Sequence, residues 1–498
     1  MQTVPDAYGL AAAQSHQPTI YLLYLPAFGV YYSTDRVLGL DAAVPIIMDR
    51  PALAASQTTY LSAAASLGSI SMRLLDLDQR ITELRQGGQV RGTEHRVYLG
   101  YEGLRWDADP DVSEYTEVLR GRVTRFEREG SGMVWALEAG DNFEKIDREI
   151  FSPEALAAEP YTEAEKSWDG GSLVLWASDP DTEIYDRVTL TGTADEIGLK
   201  MLLSDGSLDG SQGGYNVWPA WAGLGLTTDE VDVDWWEDEG AKVVDAPMLF
   251  YITDAENVKD FIETEICKAL GGYPLLSNTG KLRIHYPVAP PPGAAVVTLS
   301  DDHVIGTPPW ADSSDLYMSH VQYELDHDGS SFQTKLPRRA SWEWLTAQTS
   351  ETRLHPIQSR GLRTELGGIS IADAITDMLL RRYAVPPPRI RMQVFFSQHR
   401  IESGELVACT SGRLPNVDGL GEGATRYLEV LSRRPTADKV ELDVVDLTAY
   451  STAARTAVIA PNGQPDYGSA SAEEREFAYI ADDSAGAFAN GDAAYIFG

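Results

Sequence analysis

Three aspartates at calcium-loop spacing are the first arrangement in this sequence that could do chemistry. Asp107, Asp109 and Asp111 stand at positions 1, 3 and 5 of such a loop. A calcium loop also needs glycine at position 6 and a bidentate glutamate at position 12, and this chain has Val112 and Val118 there. The spacing therefore predicts a solvated acidic turn and not a metal site.

The acidic run 229–239 is the second candidate, because it places seven carboxylates around Trp235 and Trp236. Acidic groups beside aromatic rings can form a platform for a carbohydrate or a cation. We favour a solvated loop whose tryptophans anchor to their own domain, which is the more frequent arrangement. A carboxylate pair for glycoside hydrolysis stays open as an alternative, since such pairs are defined by distance in space.

Signatures of the common catalytic classes are missing from the sequence. It has no His-Glu-x-x-His, no Gly-x-Ser-x-Gly and no Walker-type phosphate loop. Gly419–Gly423 lacks the third glycine of a dinucleotide loop and the helix that should follow it, so we predict a turn between strands. His95, His285 and His320 lie in strand-like runs and are interpreted as structural. The sequence predicts no catalytic, cofactor-binding or metal-binding residue.

Arginines concentrate between residues 338 and 382. A basic strip in an acidic protein can pair with an acidic neighbouring subunit, and ordinary surface charge is the alternative. The arginines concerned are Arg338, Arg339, Arg353, Arg360, Arg363, Arg381 and Arg382.

Composition and charge narrow the function classes. A length of 498 residues suggests about three domains, and 43% hydrophobic with 23% charged residues is typical of a folded globular protein. Acidic residues outnumber basic ones by 75 to 40, which gives a net charge of −35. A polyanion partner held by a basic surface is therefore excluded over most of the molecule.

Two cysteines and one apolar run define further exclusions. Cys267 and Cys409 lie far apart and match no metal-ligand spacing, which excludes a disulfide framework and a zinc cluster. The longest uncharged apolar run, Ile20–Tyr32, has 13 residues and contains Pro26. This is well short of the ~20 residues of a membrane span. A secretory signal would carry positive charge before the run, so we expect folding without export.

The elements that must position these residues are β-like in the first part of the chain. Ile70, Met72 and Leu74 alternate with Ser71 and Arg73, and a second period-2 run places Met133, Trp135 and Leu137 between Val134, Ala136 and Glu138. Period-2 runs separated by Gly and Asp clusters predict an antiparallel sheet or barrel. A short helix at 142–149 is expected to close this region.

Helical signals mark the middle of the chain. Thr193–Glu196 is a capping box before an apolar helical face, and Thr253–Glu256 is a second one. Apolar residues of 258–270 then recur at helical spacing until Gly271–Gly272. A hairpin with strands at 273–276 and 281–286 follows, so this region is predicted to be α+β.

The third region returns to strands around one helix. Its predicted elements are a strand at 317–325, a helix at 371–383 behind the cap Ser370, an alternating strand at 390–396, and strands at 426–431 and 439–445. The expected organisation is therefore an N-terminal arm at 1–18, a first β-domain at 19–151, an α+β middle domain at 152–292, a second β-domain with one helix at 293–450 and a C-terminal tail at 451–498.

The tail ends in two apolar pieces, 477–480 and 494–497, with a turn signal at Asn490–Gly491. They are too small to make a core, and an isolated hairpin is marginal in water. We predict that they dock onto an adjacent subunit or a fibre-type partner by strand addition, with a frayed end as the alternative. The docking residues are Phe477, Tyr479, Ile480, Tyr495, Ile496 and Phe497.

The order of these elements resembles the tail-hub (baseplate-hub) proteins of tailed phages and gene transfer agents. The likeness spans about residues 60 to 450, and Gly404–Glu405 stands where the family usually has Gly-Asp. The stretches that carry it are Ile70–Asp76, Val97–Leu104, Leu119–Val123 and Trp135–Asn142 in the first domain, Gly271–Tyr273 and Gly280–Arg283 in the middle, and Ala372–Tyr383, Ile390–Phe396 and Glu402–Val407 in the third region.

The resemblance implies a mainly β fold in which two tube-like β-barrel domains form a ring around an α+β middle region. It implies a homotrimer at the virion tail tip that joins the tail tube or distal tail protein to a fibre or tip protein. Tape measure and DNA would pass through the ring without specific binding. The family has no catalytic residues in these barrels.

Two other functions stay open from the sequence. One is a protein that binds or degrades carbohydrate through the run 229–239. The other is a distal tail ring or fibre-base component. The acidity fits either a lumen that repels DNA phosphates or adaptation to a saline habitat.

Overall fold

The computed structural model describes residues 19–448 with internal gaps. The N-terminal arm, the tail with its six docking residues and the Gly419–Gly423 turn lie outside the described residues. The gaps are 49–51, 55–56, 60–63, 67–68, 77, 110–112, 131–132, 153–155, 157–165, 180–183, 244–245, 278, 289–294, 296, 313–315, 340–352, 385–386, 396–397, 399, 415–424 and 436–438.

The first region is a curved eight-stranded sheet with the order β3-β2-β1-β8-β9-β10-β7-β4. Helix α1 (Arg80–Gly87) lies between β7 and β8, and β5 and β6 form a separate hairpin. The strands are β1 Thr19–Leu25, β2 Val30–Ser33, β3 Ala43–Pro45, β4 Ala52–Ala54, β5 Gln57–Thr59, β6 Ala64–Ser66, β7 Ser69–Leu75, β8 Glu94–Tyr101, β9 Thr116–Glu129 and β10 Val134–Asp141.

Backbone hydrogen bonds bring the two ends of this sheet together. The Ile47 N–H donates to the Ser33 carbonyl in β2, and the Met48 N–H donates to the Arg73 carbonyl in β7, each at 2.9 Å. One short segment therefore connects both ends, and the sheet curls into a barrel, the first barrel. The alternation predicted for β7 is confirmed, because Ile70, Met72 and Leu74 are all buried.

The strand predicted around Trp135 also exists, with two differences in detail. Trp135 and Leu137 are buried, but Met133 lies before β10 and is 54% exposed. The predicted helix at 142–149 is only a 3₁₀ turn at Asn142–Lys145, because residues 149–150 pair as a strand with 256–257.

The middle region packs three helices on a four-stranded sheet of order β12-β13-β14-β15. The helices are α2 Ala194–Leu203, α3 Val233–Gly240 and α4, which starts at Val258–Phe261, continues as a π-helix over Ile262–Cys267 and ends as a 3₁₀ turn at Lys268–Leu270. The strands are β11 Glu149–Ile150, β12 Ser167–Trp168, β13 Leu173–Asp179, β14 Ile184–Thr193, β15 Pro247–Ile252, β16 Glu256–Asn257, β17 Tyr273–Leu276 and β18 Leu282–His285.

One of the two predicted capping boxes is confirmed and the other is wrong. Thr193 and Glu196 form the box at the start of α2. Helix α4 is instead capped by Asn257, whose side chain accepts a hydrogen bond from the Asp260 N–H at 3.2 Å. Glu256 is not available to the Thr253 box, because its backbone pairs in β16 and its carboxylate accepts from Arg360.

The third region forms a second barrel, whose strands come from the chain segments before and after an inserted unit. The barrel has the order β19-β26-β27-β28-β25-β20, and its end strands β19 and β20 are joined by residues 301–303 alone, so the sheet is nearly closed. The strands are β19 Val297–Ser300, β20 Val304–Ile305, β21 Trp310–Asp312, β22 His320–His327, β23 Phe332–Arg339, β24 Leu354–Gln358, β25 Pro388–Phe395, β26 Leu406–Thr410, β27 Arg426–Pro435 and β28 Lys439–Asp446.

The inserted unit consists of the sheet β23-β22-β24 and helix α5 (Gly368–Tyr383). The helix begins earlier than predicted. Its N-cap is Gly367, and Ser370 lies inside the first turn. Gly367 has a φ of 84°, a left-handed conformation that glycine adopts without strain.

Buried hydrophobic residues form two clusters, one mainly in the barrels and one mainly in the middle region and the inserted unit. The chain is mainly β, and most buried residues of the two barrels belong to one cluster. Leu431 and Val445 of the second barrel belong to the other cluster. The other cluster unites the middle region with the inserted unit, including Ile371 and Tyr383 of α5. The sequence boundary proposed at residue 292 stays a prediction. No helix in the described part of the chain is both long and apolar enough to cross a bilayer.

Candidate functional site

A cluster of buried charges lies where the middle region meets the second barrel. We call it the ionic junction. Five elements supply it: the hairpin β17–β18, helix α3, the C-terminal turn of α5, strand β27 and the loop before β26. Its members are Asp232, Glu239, Tyr273, Arg283, His285, Arg382, Glu402, Glu405 and Glu429.

Helix α3 contributes Glu239, which is 1% exposed. Its Oε2 atom lies 3.2 Å from His285 Nδ1 and accepts the Tyr286 N–H at 2.8 Å, and Lys242 Nζ donates to Oε1. Burial raises the pKa of this carboxyl, but His285 and Lys242 outweigh burial and lower the pKa to about 2. Glu239 is therefore a charged anchor for the end of β18.

Strand β27 contributes Glu429, which three elements surround. Arg382 Nη2 of α5 donates to Glu429 Oε2 at 2.6 Å, and the Tyr273 hydroxyl donates to Oε1 at 3.0 Å. The Arg382 side chain is completely buried and also donates to the Pro287 carbonyl at 3.1 Å. One guanidinium thus connects the inserted helix to the second barrel.

Arg283 of β18 connects the hairpin to the loop before β26. Its guanidinium donates to Asp232 at 2.6 Å and to Glu402 at 2.5 Å. The same group lies 4.2 Å from the ring centre of Trp235, where a cation–π contact adds to the ion pairs. Because Glu402 is 2% exposed, this carboxylate depends on Arg283 for compensation of its charge.

Glu405 is the member of the junction whose protonation changes near neutral pH. It is 5% exposed, and its Oε2 accepts the Glu402 N–H at 2.8 Å. Burial, reinforced by the neighbouring Glu402 carboxylate, raises the pKa of Glu405 to about 7. Gly404 before it has a φ of 83°, and a Cβ there would lie 2.8 Å from Leu275 Cδ2. The close approach of Gly404 to Leu275 keeps Glu405 next to the hairpin β17–β18.

We expect the free energy of unfolding to fall as the pH rises from about 4.5 to about 7, and Glu405→Gln to flatten this slope. Between these values the folded carboxyl binds more protons than the unfolded one, so a higher pH favours unfolding. The measurement is the denaturant midpoint of both proteins at pH values on either side of 7. Glu365→Gln, at an exposed position, is the control. Parallel pH profiles of wild type and Glu405→Gln would contradict this.

The arrangement of the junction serves to hold elements together. Its carboxylates face cationic or N–H groups of this chain, which fixes the hairpin, helix α5 and strand β27 in one position. No group of three or more His, Cys, Asp or Glu side chains in the described part of the chain is placed to hold a metal ion.

The tryptophan pair of the run 229–239 lies beside this junction. The predicted solvated loop is wrong, because residues 233–240 form helix α3. The predicted anchoring is confirmed. Trp235 Nε1 donates to the Ile284 carbonyl at 2.7 Å, and Trp236 Nε1 donates to the Leu282 carbonyl at 3.1 Å. Both indole N–H groups are thus used by β18.

Five arginines of the predicted basic strip pair with groups of this chain. Arg360 is hydrogen-bonded to Glu256 and Glu265, and Arg363 donates to the His327 carbonyl. Further ion pairs within the chain join Arg338 to Asp373, Arg381 to Asp377 and Arg382 to Glu429. Arg338 and Arg381 pair within the inserted unit, and Arg382 joins this unit to the second barrel.

The other predicted sites have simple local roles. Asp107 accepts the Asp109 N–H at 3.0 Å in an exposed turn, and Asp111 lies outside the described residues. His95 is completely buried in β8, and burial lowers its pKa to about 4. His320 Nδ1 lies 2.8 Å from the Ser319 hydroxyl. The free cysteines Cys267 and Cys409 are both buried.

Sequence reasoning missed a better match to the calcium-loop pattern at residues 205–216. Asp205, Ser207, Asp209 and Gly210 stand at positions 1, 3, 5 and 6, which is the signal that could have found it. In the structure the side-chain amide nitrogen of Asn216 occupies the centre of this loop. It lies between 2.8 and 3.2 Å from oxygens of Asp205, Ser207, Asp209 and Ser211.

Comparison with known proteins gives structural likeness only. No protein-family model and no curated protein matches the chain. The tail protein from Neisseria meningitidis MC58 is 11% identical, with a TM-score of 0.42 over 86% of this chain and 96% of that one. The 43 kDa tail protein of prophage MuSo2 from Shewanella oneidensis is 10% identical, with a TM-score of 0.41 over 86% and 98%.

A third structure is similar over a comparable length. The prophage tail protein gp18 from Listeria monocytogenes EGD-e is 7% identical, with a TM-score of 0.39 over 85% of this chain and 94% of that one.

Proposed function

We propose that this chain is a structural hub at the tip of a virion tail. Three copies form a ring that joins the tail tube or distal tail protein to a fibre or tip protein. Tape measure and DNA pass through the ring, and the chain has no catalytic role. This role is the one that the resemblance to tail-hub proteins implies, and it rests on the same order of elements along the chain.

The observation that carries the proposal is the pairing of the two barrels. Most of their buried residues belong to one cluster, although residues 142–296 separate the two barrels in the chain. Strands β4 and β5 of the first region also lie against β27 of the second barrel. Two barrels held side by side give each subunit two similar walls, and three such subunits close a ring of six.

Charge supports the second part of the proposal. A net charge of −35 suits a passage for DNA, because a wall that repels phosphate does not retain the passing strand. The ionic junction supports the mechanical part, since a ring that connects two assemblies must keep its middle region fixed to its barrels. The carbohydrate alternative loses its main support, because both tryptophans are engaged within the chain.

The mass of the purified full-length protein tests the ring. We expect a native mass of three times 54.5 kDa and ring-shaped particles by electron microscopy. A purified protein that stays monomeric at high concentration would contradict the proposal.

The tail segment is proposed to be the docking element of the hub. We expect that deletion of residues 472–498 leaves the barrels folded, because every described core residue lies before residue 449, but weakens attachment of a neighbouring component. Co-sedimentation of the hub with tail particles is the measurement. A variant with residues 472–498 in scrambled order is the matched control for length and charge. Unchanged attachment after deletion would rule this role out.

A further inference from the structure

A groove on the outer face of the second barrel has no role in the functions considered so far. Its volume is about 680 Å³, within the range in which proteins bind ligand groups. The loop 306–309 forms one wall, and strands β25, β28 and β27 form the floor. The charged lining residues are Arg389, Arg391, Arg434, Glu441 and Asp443.

The floor of the groove presents one uncompensated cation. Arg391 lies opposite Asp443 in the register of β25 and β28. Asp443, however, is engaged by Arg389, which donates to its two oxygens at 2.8 and 2.5 Å. The exposed Arg391 guanidinium makes no hydrogen bond or ion pair with any residue that the structure describes, although its backbone N–H donates to the Pro309 carbonyl. The groove can therefore accept a carboxylate.

An apolar surface borders the same groove. Pro308 and Pro309 line the loop wall of the groove. An occupant that combines acidic groups with aromatic ones fits this surface.

This chain contains such a segment in its tail. Residues 473–480 read Glu-Glu-Arg-Glu-Phe-Ala-Tyr-Ile, in which acidic residues come directly before two aromatic ones. The described chain ends at Thr448, so 24 residues separate the end of the second barrel from Glu473. A chain of that length reaches at most about 80 Å, which is enough to cross to a neighbouring copy.

We propose that the groove of one copy binds segment 473–480 of a second copy. Glu473 and Glu474 pair with Arg391, and Phe477 and Tyr479 pack on the two prolines of the loop wall. Each copy then gives one tail segment and receives one, which closes a symmetric ring with no groove left empty. This inference rests on the ring and the docking tail proposed above, and it names the surface that receives the tail.

The test uses the full-length protein with Phe477 replaced by p-benzoylphenylalanine, a photo-crosslinker. After irradiation, mass spectrometry identifies the crosslinked peptides. We expect the crosslinks to fall on residues 305–310 and 389–393. In a mixture of isotopically light and heavy protein, we expect them to join light to heavy chains.

Charge reversal provides the specific control. Arg391→Glu should reduce the crosslink yield at least fivefold, and the further change of Glu473 and Glu474 to Arg should restore it. Arg36→Glu, at an exposed position on the first barrel, should leave the yield unchanged. High salt should lower the yield, because the exposed charges are screened.

Three outcomes would overturn the inference. Crosslinks only within one chain would show that the tail returns to its own copy. Crosslinks to other surfaces, or only to a fibre or tip protein in assembled particles, would refute the groove and leave the docking role of the tail standing. A monomeric protein by mass would remove the proposed ring itself.

Discussion

Arg382→Met lowers the free energy of unfolding by about 3–5 kcal/mol, which is the usual cost of leaving a buried partner charge uncompensated. The guanidinium is completely buried and joins helix α5 to Glu429 of β27. Methionine fills much of the volume but gives Glu429 and the Pro287 carbonyl no donor. Chemical denaturation of the full-length protein measures the loss.

The adjacent residue provides a matched control. Arg381 lies one position earlier on the same helix, is 62% exposed and pairs with Asp377 at 3.6 Å. Arg381→Met should change the free energy of unfolding by less than about 0.5 kcal/mol. The double change Arg382→Met with Glu429→Gln should recover more than half of the loss, because the neutral amide still accepts from Tyr273. Equal losses for the two single arginine variants would contradict the role of the junction.

Trp236→Ala is expected to cost a similar amount, about 3–5 kcal/mol, because it removes a large aromatic side chain from a packed core. Trp236 is 1% exposed and donates to the Leu282 carbonyl. It packs so tightly on α2 that a Cβ at Gly198 would lie 2.6 Å from its ring. The loss should appear both in the denaturation midpoint and in the near-ultraviolet circular dichroism.

Trp176→Ala is the control for this prediction. Trp176 is 53% exposed on β13, and its removal should lower the free energy of unfolding by less than about 1 kcal/mol.

Titration with oligosaccharides should leave the tryptophan fluorescence unchanged if the pair at 235–236 serves only the fold. A saturable fluorescence change that disappears in Trp235→Ala would instead support a carbohydrate site.

The sequence allowed prediction of those elements whose signals are local. The buried alternation in β7 and β25 and the apolar face of α4 each depend on residues within a few positions of one another. The prediction of a cap at Thr253 was wrong because of a contact between residues far apart in the sequence. Glu256 is drawn into a two-stranded pairing with Ile150, more than a hundred residues earlier, and Asn257 takes over the cap.

The ionic junction could not be predicted for the same physical reason. Tyr273 and Glu429 are 156 positions apart, and Arg382 and Glu429 are 47 apart. No spacing rule connects such residues, since the topology alone brings them together. In the sequence, Arg382 looked like part of a surface strip, and Glu429 was one of 75 acidic residues.

The way in which the second barrel is assembled has a consequence for the order of folding. Strands β19 to β21 end at residue 312. Strand β25, the partner of β20 and β21, begins at 388, and strand β26, the partner of β19, begins at 406. Closure of this barrel therefore joins segments of high sequence separation, and contacts of this kind form slowly. If the inserted unit folds first, it shortens the gap to be closed. During synthesis, β19 to β21 leave the ribosome before their partner strands β25 and β26, so they can pair only after those strands have been made.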